Sequence, residues 1–343
     1  MESVTQKAIE AVGSKQDKDW KLHPDTHAAE LSAAAGPLQR ILLKPELGSI
    51  IAAFNSSDAQ AGGAQTRYKK LAKISAVTSF IAVVIASLLL LFPHTIGDSP
   101  SLFTIAAVAQ FGLLAVSYLA SIWLGYAKPY DDWMHERAKA ETRRIELFNT
   151  VVAASETPQG NELPTLPLQL EYVRRYQLDV QRAYYKGRGN QHRQAAQRSG
   201  LWRIASLIIL GIALLPVVGN MLNVSWLPGG LLSSGEQSQR LFLSLGLVGG
   251  ALQGLWAAYG LLGQDERNAA RYQDTSQNLE DLAARPLDEA RAAAALGQQG
   301  PVLAFVALLH QQISSEHREW VALRSIAPDL SLDRLKVVSL PRL

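Results

Sequence analysis

Seven histidines are the chain's most versatile chemical groups, and only two pairs stand at a spacing that could hold a metal or pass a proton. His23 and His27 are four residues apart, and His310 and His317 are two helical turns apart, so each pair can share a helix face. Hydrolytic zinc chemistry also needs a carboxylate beside such ligands, as in HExxH, and no glutamate lies between His23 and His27. Both pairs therefore read as ordinary solvated or capping histidines. Asp131 and Asp132 are adjacent and do not face each other; they suit the first turn of a helix, where carboxylates complement the dipole. No GxxxxGK[ST], GxSxG or GxGxxG pattern occurs, so no phosphate cradle or nucleophile elbow is expected. With no cysteine, disulfides, thiolate nucleophiles and cysteine-ligated metal are excluded. The expectation is a protein that is not an enzyme, with no catalytic residue, cofactor or metal.

The polar groups with a positional argument are uncharged and sit in apolar stretches. Gln110 (AVAQFGLLA) and Gln253 (GALQGLWAA) are the deepest, and are candidates for a polar path facing a shared interior. Gly246, Gly250, Gly254 and Ala258 recur at intervals of four, which forms a groove where two helix backbones can approach closely. That groove is either internal packing or a seam between subunits of an oligomer. Ser117, Ser121 and Gly125 form a second, weaker row. No ionisable residue lies in these stretches, which argues against proton- or ion-coupled transport.

These residues are carried by four stretches free of Asp, Glu, Lys, Arg and His: 74–92, 102–127, 204–224 and 241–263. About 20 apolar residues of helix cross a hydrocarbon core of about 30 Å. The fold expected is thus an all-α integral membrane protein, with four transmembrane helices as two hairpins and a helical cytoplasmic bundle. Lys and Arg collect before the first stretch, in the middle segment 128–200 and in the tail, and are nearly absent from both short turns. By the positive-inside rule both termini and the middle segment are cytoplasmic. No signal-peptide pattern precedes the first stretch, and a net charge of +3 is too small to argue for nucleic acid.

The aqueous segments read as helical. Residues 1–23 are expected to be loose, a helix from Asp25 to break at Gly36-Pro37, a helix to run from near Pro45 to Phe54, and the stretch 57–73 to continue into the first apolar stretch. Lys128-Pro129 marks a kink, and Arg137 and Glu141 are expected to pair on the exposed side of the next helix. Residues 169–197 read as a charged helix leading into the third stretch. Pro216 and Asn220 lie late in that stretch. The nine apolar residues from Pro301 are too few to span and are expected to be buried. The divisions are a helical segment at 1–44, a first two-span unit at 45–157, a linker at 158–167, a second two-span unit at 168–325 and a tail at 326–343.

Several blocks resemble the SLATT (SMODS- and SLOG-associating) two-transmembrane effector domains of bacterial conflict systems. FNSSDAQAGGAQTRYKKL precedes the first hairpin, and WMHERAKAETRRIELF follows it, carrying Trp133, Arg137, Glu141 and Arg144. YQLDVQRAYYKGRGNQHRQAAQR leads into the second, with Tyr176, Gln181, Tyr184 and Tyr185, and FVALLHQQISSEHREW closes it with Glu316, Glu319 and Trp320. The resemblance implies two units in tandem, forming a homo-oligomeric effector of anti-phage defence in the bacterial inner membrane. Such an effector acts by pore formation or membrane disruption, in abortive infection, when a partner triggers it. Partners implied are membrane lipid and an associated defence protein, such as a nucleotide-signalling enzyme or reverse transcriptase. No sensor or catalytic domain is read within these residues, so the trigger is expected to arrive from elsewhere. The alternative is a non-conducting membrane scaffold that recruits a cytoplasmic partner. A magnesium channel of the two-transmembrane type is disfavoured, because Gly219-Asn220-Met221 runs in the wrong order for its Gly-Met-Asn.

Overall fold

The computed structural model describes residues 2–92, 100–221, 236–263 and 265–324. Among these residues the regular elements are helices, with no strand. In chain order they are α1 (Glu2–Val12), α2 (Pro24–Glu30), α3 (Gly36–Leu42), α4 (Pro45–Leu91), α5 (Pro100–Ala127) and α6 (Pro129–Ala153). There follow α7 (Thr165–Val173), α8 (Val180–Met221), α9 (Glu236–Gly263), α10 (Asp265–Ala283), α11 (Arg285–Ala295) and α12 (Gln299–Arg324). A π turn, Arg174–Asp179, joins α7 to α8.

Proline sets many of these boundaries. Pro24, Pro45, Pro100 and Pro129 open α2, α4, α5 and α6, and Pro37 and Pro286 stand second in α3 and α11. Proline is at home in a first turn, where its missing N–H has no helical partner. Gly36-Pro37 therefore opens a helix instead of breaking one, which corrects the sequence reading. Before Pro129, Lys128 adopts a left-handed backbone (φ 43°) and ends α5, so the kink expected there is a full break between helices. Residues 2–23 are not loose: α1 buries Ala8, Ala11 and Val12.

The described chain forms two compact units. A polar unit gathers residues 2–64, 130–191 and 267–324; an apolar unit gathers 65–92, 100–129, 192–221, 236–263 and 265–266. Each of the two expected hairpin units contributes to both. The core of the polar unit packs Leu38, Ile41 and Leu47 with Phe148, Leu168, Leu170, Tyr172, Leu279 and Leu309, all essentially inaccessible. The stretch 169–181, expected only as part of a charged helix, is buried through most of its length. Its apolar and aromatic residues Leu170, Tyr172, Val173, Tyr176 and Leu178 outweigh the arginines between them. In α12, Val302, Phe305, Val306 and Leu309 are buried as expected.

Among the described residues three helices are long and apolar enough to cross a membrane: Pro45–Leu91, Pro100–Ala127 and one in the run Arg240–Ala295. The expected third span lies on α8, and its last residues fall outside those described. Leu201, Ile204, Leu207, Ile208 and Leu215 on α8 are exposed, as are Ile105, Val108, Phe111 and Leu119 on α5. Contiguous apolar surface on this scale marks contact with lipid or another protein.

Phe148 on α6 is fully enclosed, with its ring 5.8 Å from that of Tyr172. Phe148→Ala is expected to destabilise the chain by about 3–5 kcal/mol in urea unfolding of the detergent-solubilised protein. Leu43→Ala, at an exposed position, is expected to stay within about 0.5 kcal/mol.

Candidate functional site

In the apolar unit the glycine row of α9 divides between two faces. A Cβ on Gly246 would lie 3.8 Å from the Ala213 Cβ of α8, whereas Gly250 and Gly254 are exposed with no atom within 4 Å of an added Cβ. The closest approach to α8 is at Gly249, where a Cβ would sit 3.2 Å from Ile209 Cγ2 and 3.3 Å from Leu210 N. A four-residue interval advances about 40° beyond a full turn, so the row winds off the α8 contact while Gly249 and Trp256 stay on it. Trp256 stacks on Trp202 of α8, ring centroids 5.5 Å apart and 5° from parallel.

The other uncharged polar groups join helices inside this unit. Ser117 of α5 donates to the Ser75 carbonyl of α4 at 2.9 Å, and Ser121 lies 2.8 Å from the Ser75 hydroxyl, so this row serves internal packing. Ser244 of α9 donates to the Ser87 carbonyl of α4 at 3.0 Å, which packs the two predicted hairpins on each other. Gln110 sits half-buried on the face of α5 that carries Ser117 and the buried Ala120. Gln253 is half-buried on α9, with its Oε1 enclosed and accepting no hydrogen bond. No hydrogen bond among the described residues joins the two glutamines. The side chains of Asn220, Glu316, His317, Glu319 and Trp320, and all of Asn223, lie outside what is described.

In the polar unit the family-like residues converge. Arg137 of α6 donates to Asp58 of α4 at 3.0 Å and pairs with Glu141 at 2.7 Å. Glu141 in turn approaches Arg144 at 3.8 Å, and the Arg144 guanidinium lies 5.3 Å from the Phe54 ring. The expected Arg137–Glu141 pair is present, but it faces α4 and is not on the exposed side. The charge of Glu141 raises the Arg137 pKa above its ordinary value against the opposing effect of burial, with Tyr184, Asp58 and Tyr185 adding to it. Tyr184 and Tyr185 thus adjoin Arg137, and both pack on Tyr272 of α10, at 6.3 and 5.6 Å between centroids. Trp133 meets Tyr130 edge-on at 5.8 Å. Asp131 and Asp132 occupy the first turn of α6, as expected.

A second polar layer has no counterpart in the sequence reading. Arg175, in the π turn, is buried and donates to Asp19 at 2.8 and 3.2 Å, to Glu30 at 3.2 Å and to the Val12 carbonyl at 2.5 Å. The Tyr176 ring lies between the Arg175 guanidinium, 4.5 Å from its centroid, and the His27 ring, stacked at 3.8 Å. Gly13, at φ +81°, offers its carbonyl to Arg174 at 2.8 Å in a backbone conformation that favours glycine. Beside them Glu171 is enclosed between Arg174 (2.5 Å) and Arg291 of α11 (2.7 Å). The run EYVRRY signals a helix face with tyrosines four apart, but it gives no hint of partners some 150 residues away.

His27 is not a solvated residue. Its Nε2 donates to the Lys21 carbonyl at 3.1 Å, which leaves Nδ1 to accept from the Tyr172 hydroxyl at 3.0 Å. Burial lowers its pKa from 6.5 to about 4. His310, also buried, lies 3.1 Å from Gln177 Oε1, and burial lowers its pKa to about 4 as well. No cluster of three metal-ligating side chains occurs among the described residues.

The fold and these faces define a helical protein with membrane-length apolar helices. Within it, residues 52–154 match a family described as a protein of unknown function, DUF4231. The match covers less than a third of the chain and falls inside the first expected two-span unit. No curated protein and no solved structure matches the chain.

The two buried histidines predict acid sensitivity. The folded chain resists protonation until about pH 4, whereas the unfolded chain takes up those protons near 6.5. The unfolded state therefore binds more protons in that window, and stability falls as pH drops through it. Each histidine is expected to cost about 2 kcal/mol between pH 7 and pH 5. Urea midpoints measured across that range should show the loss, and His27→Gln should remove about half of it.

Proposed function

We propose that the chain is a SLATT-type membrane effector of bacterial anti-phage defence. Four spans form two hairpins in the inner membrane, with both termini and the middle segment cytoplasmic. Copies assemble into an oligomer that opens or disrupts the membrane when a partner triggers it, the partner being a defence protein such as a nucleotide-signalling enzyme or reverse transcriptase. The observation that carries the assembly is the exposed pair Gly250 and Gly254, one turn apart on a membrane-length helix with nothing against them in the single chain. Such surfaces associate by close backbone packing, since lipid offers no hydrophobic driving force between helices. The exposed apolar faces of α5 and α8, the uncharged stretches and the resemblance support the membrane role. The closed state is held by the polar unit, and a partner binding the open state better shifts the balance toward it.

A scaffold that recruits a partner without conducting is favoured by the size and dense ion pairing of the polar unit. Leakage separates the two readings. Induced expression is expected to depolarise cells, read with a voltage-sensitive dye, and a purified oligomer should conduct in liposomes with its partner. A silent oligomer that still recruits the partner would leave only the scaffold.

Two neighbouring glycines test the seam. Gly250→Leu is expected to leave a folded monomer and abolish oligomers in light scattering or cross-linking. Gly249→Leu is expected to disrupt the monomer itself, because its side chain would collide with Ile209 and Leu210. Oligomers that survive Gly250→Leu would remove this seam from the assembly.

A further inference from the structure

A cleft of about 420 Å³ opens where the loop after α1 meets the start of α8 and the exposed side of α10. Its charged lining is Lys15, Arg174, Arg182 and Lys186 against Asp179 and Glu280, two positive charges in excess. Arg174 is already engaged, bonded to Glu171, Asp179 and the Gly13 carbonyl. Arg182 is held more loosely, by ion pairs of 3.6 Å from Nη1 to Asp179 and 3.7 Å from Nη2 to Glu280 that fall outside hydrogen-bond distance, and its Nε is enclosed and donates to nothing. Lys186 is exposed and has no ion partner among the described residues, and Lys15 reaches Asp17 only at 3.7 Å.

A guanidinium carries five donors in a rigid fork, and here the enclosed Nε–H meets no acceptor while the terminal nitrogens are held only by long ion pairs. The two carboxylates at hand form ion pairs with it but no hydrogen bond. We propose that this cleft binds a soluble, phosphate-bearing anion, with Arg182 as its main donor and Lys15 and Lys186 as flanking charges. A phosphate presents three or more acceptor oxygens on a doubly charged centre, which matches the fork and outcompetes single carboxylates. A lipid headgroup carries the same chemistry, and the lipid composition used in the test separates the two sources. The proposal rests on the polar unit alone and does not depend on the membrane reading.

The test uses the full chain in phosphatidylcholine nanodiscs, titrated with inorganic pyrophosphate by calorimetry at constant ionic strength. Saturable binding is expected. Arg182→Gln should weaken it tenfold or more and Lys186→Gln several-fold, while Glu280→Gln, which removes a competing carboxylate, should tighten it several-fold. That gain cannot come from a misfolded variant. Three results would overturn the site: no saturable binding by the parent chain, unchanged affinity in Arg182→Gln, or binding seen only with nanodiscs containing phosphatidylglycerol. Conductance is read separately, so failure here leaves the effector reading standing, and a silent membrane leaves this site standing.

Discussion

A guanidinium buried in a helical core must find its counter-charges inside the protein, and Arg175 recruits them from the first 30 residues. Desolvating an ion costs several kcal/mol, and only close, well-directed partners offset it. Here two carboxylates, a backbone carbonyl and the face of Tyr176 surround it. None of these groups is useful to the others without the arginine: Asp19 would be a buried anion with no cation, and the Val12 carbonyl would lose its donor. Although burial alone would raise the Asp19 pKa, the hydrogen bonds from Arg175 and the Gln16 N–H bring it below the ordinary carboxylate value. The N-terminal helices are therefore bound to the π turn by electrostatics as well as by packing.

The position of that arginine follows from the turn that carries it. A π turn holds one residue more than the corresponding α turn, and such turns recur at functional or strained places in helices. Here it sets Arg174 and Arg175 side by side, one toward Glu171 and Gly13 and the other toward Asp19 and Glu30. The helix that follows, α8, runs without interruption from Val180 to Met221. The N-terminal segment therefore grips the turn that immediately precedes α8. His27 belongs to the same arrangement, and its neutrality matters because a second cation stacked on Tyr176 would oppose Arg175 across one ring.

The helices were largely legible because hydrophobic period and proline position are local signals. The run from Pro45 into the first apolar stretch, the break at Lys128-Pro129 and the burial of the Val302–Leu309 face all follow from them. Proline also misled: Gly36-Pro37 reads as a stop, yet the same ring suits a first turn, and only the neighbouring chain decides which role it takes. The burial of 169–181 is not legible for a related reason: its arginines and glutamate find their partners in and around α1, α2 and α11, which no local pattern announces. Arg137 and Glu141 were found by their four-residue spacing, but the spacing does not say which side of α6 meets α4. In the apolar unit, the small-residue row was visible while its division between faces was not.

That division has a geometric origin. A helix of 3.6 residues per turn cannot hold residues spaced by four on one line, so a row that begins against a neighbour leaves it within two or three steps. Gly246 touches α8; Gly250 and Gly254 have turned away from it. Gly249, off the row, replaces them at the contact, because an interval of three turns back where an interval of four turned forward. One short stretch of α9 can then present glycine to two different partners at once. The internal contact limits what the outer face can do, since Gly249 and Trp256 already hold α9 against α8. A second helix docking on Gly250 and Gly254 must accept α9 in the orientation that Trp202, Trp256 and Gly249 already fix, and assembly through that face would select this packing of the chain over others.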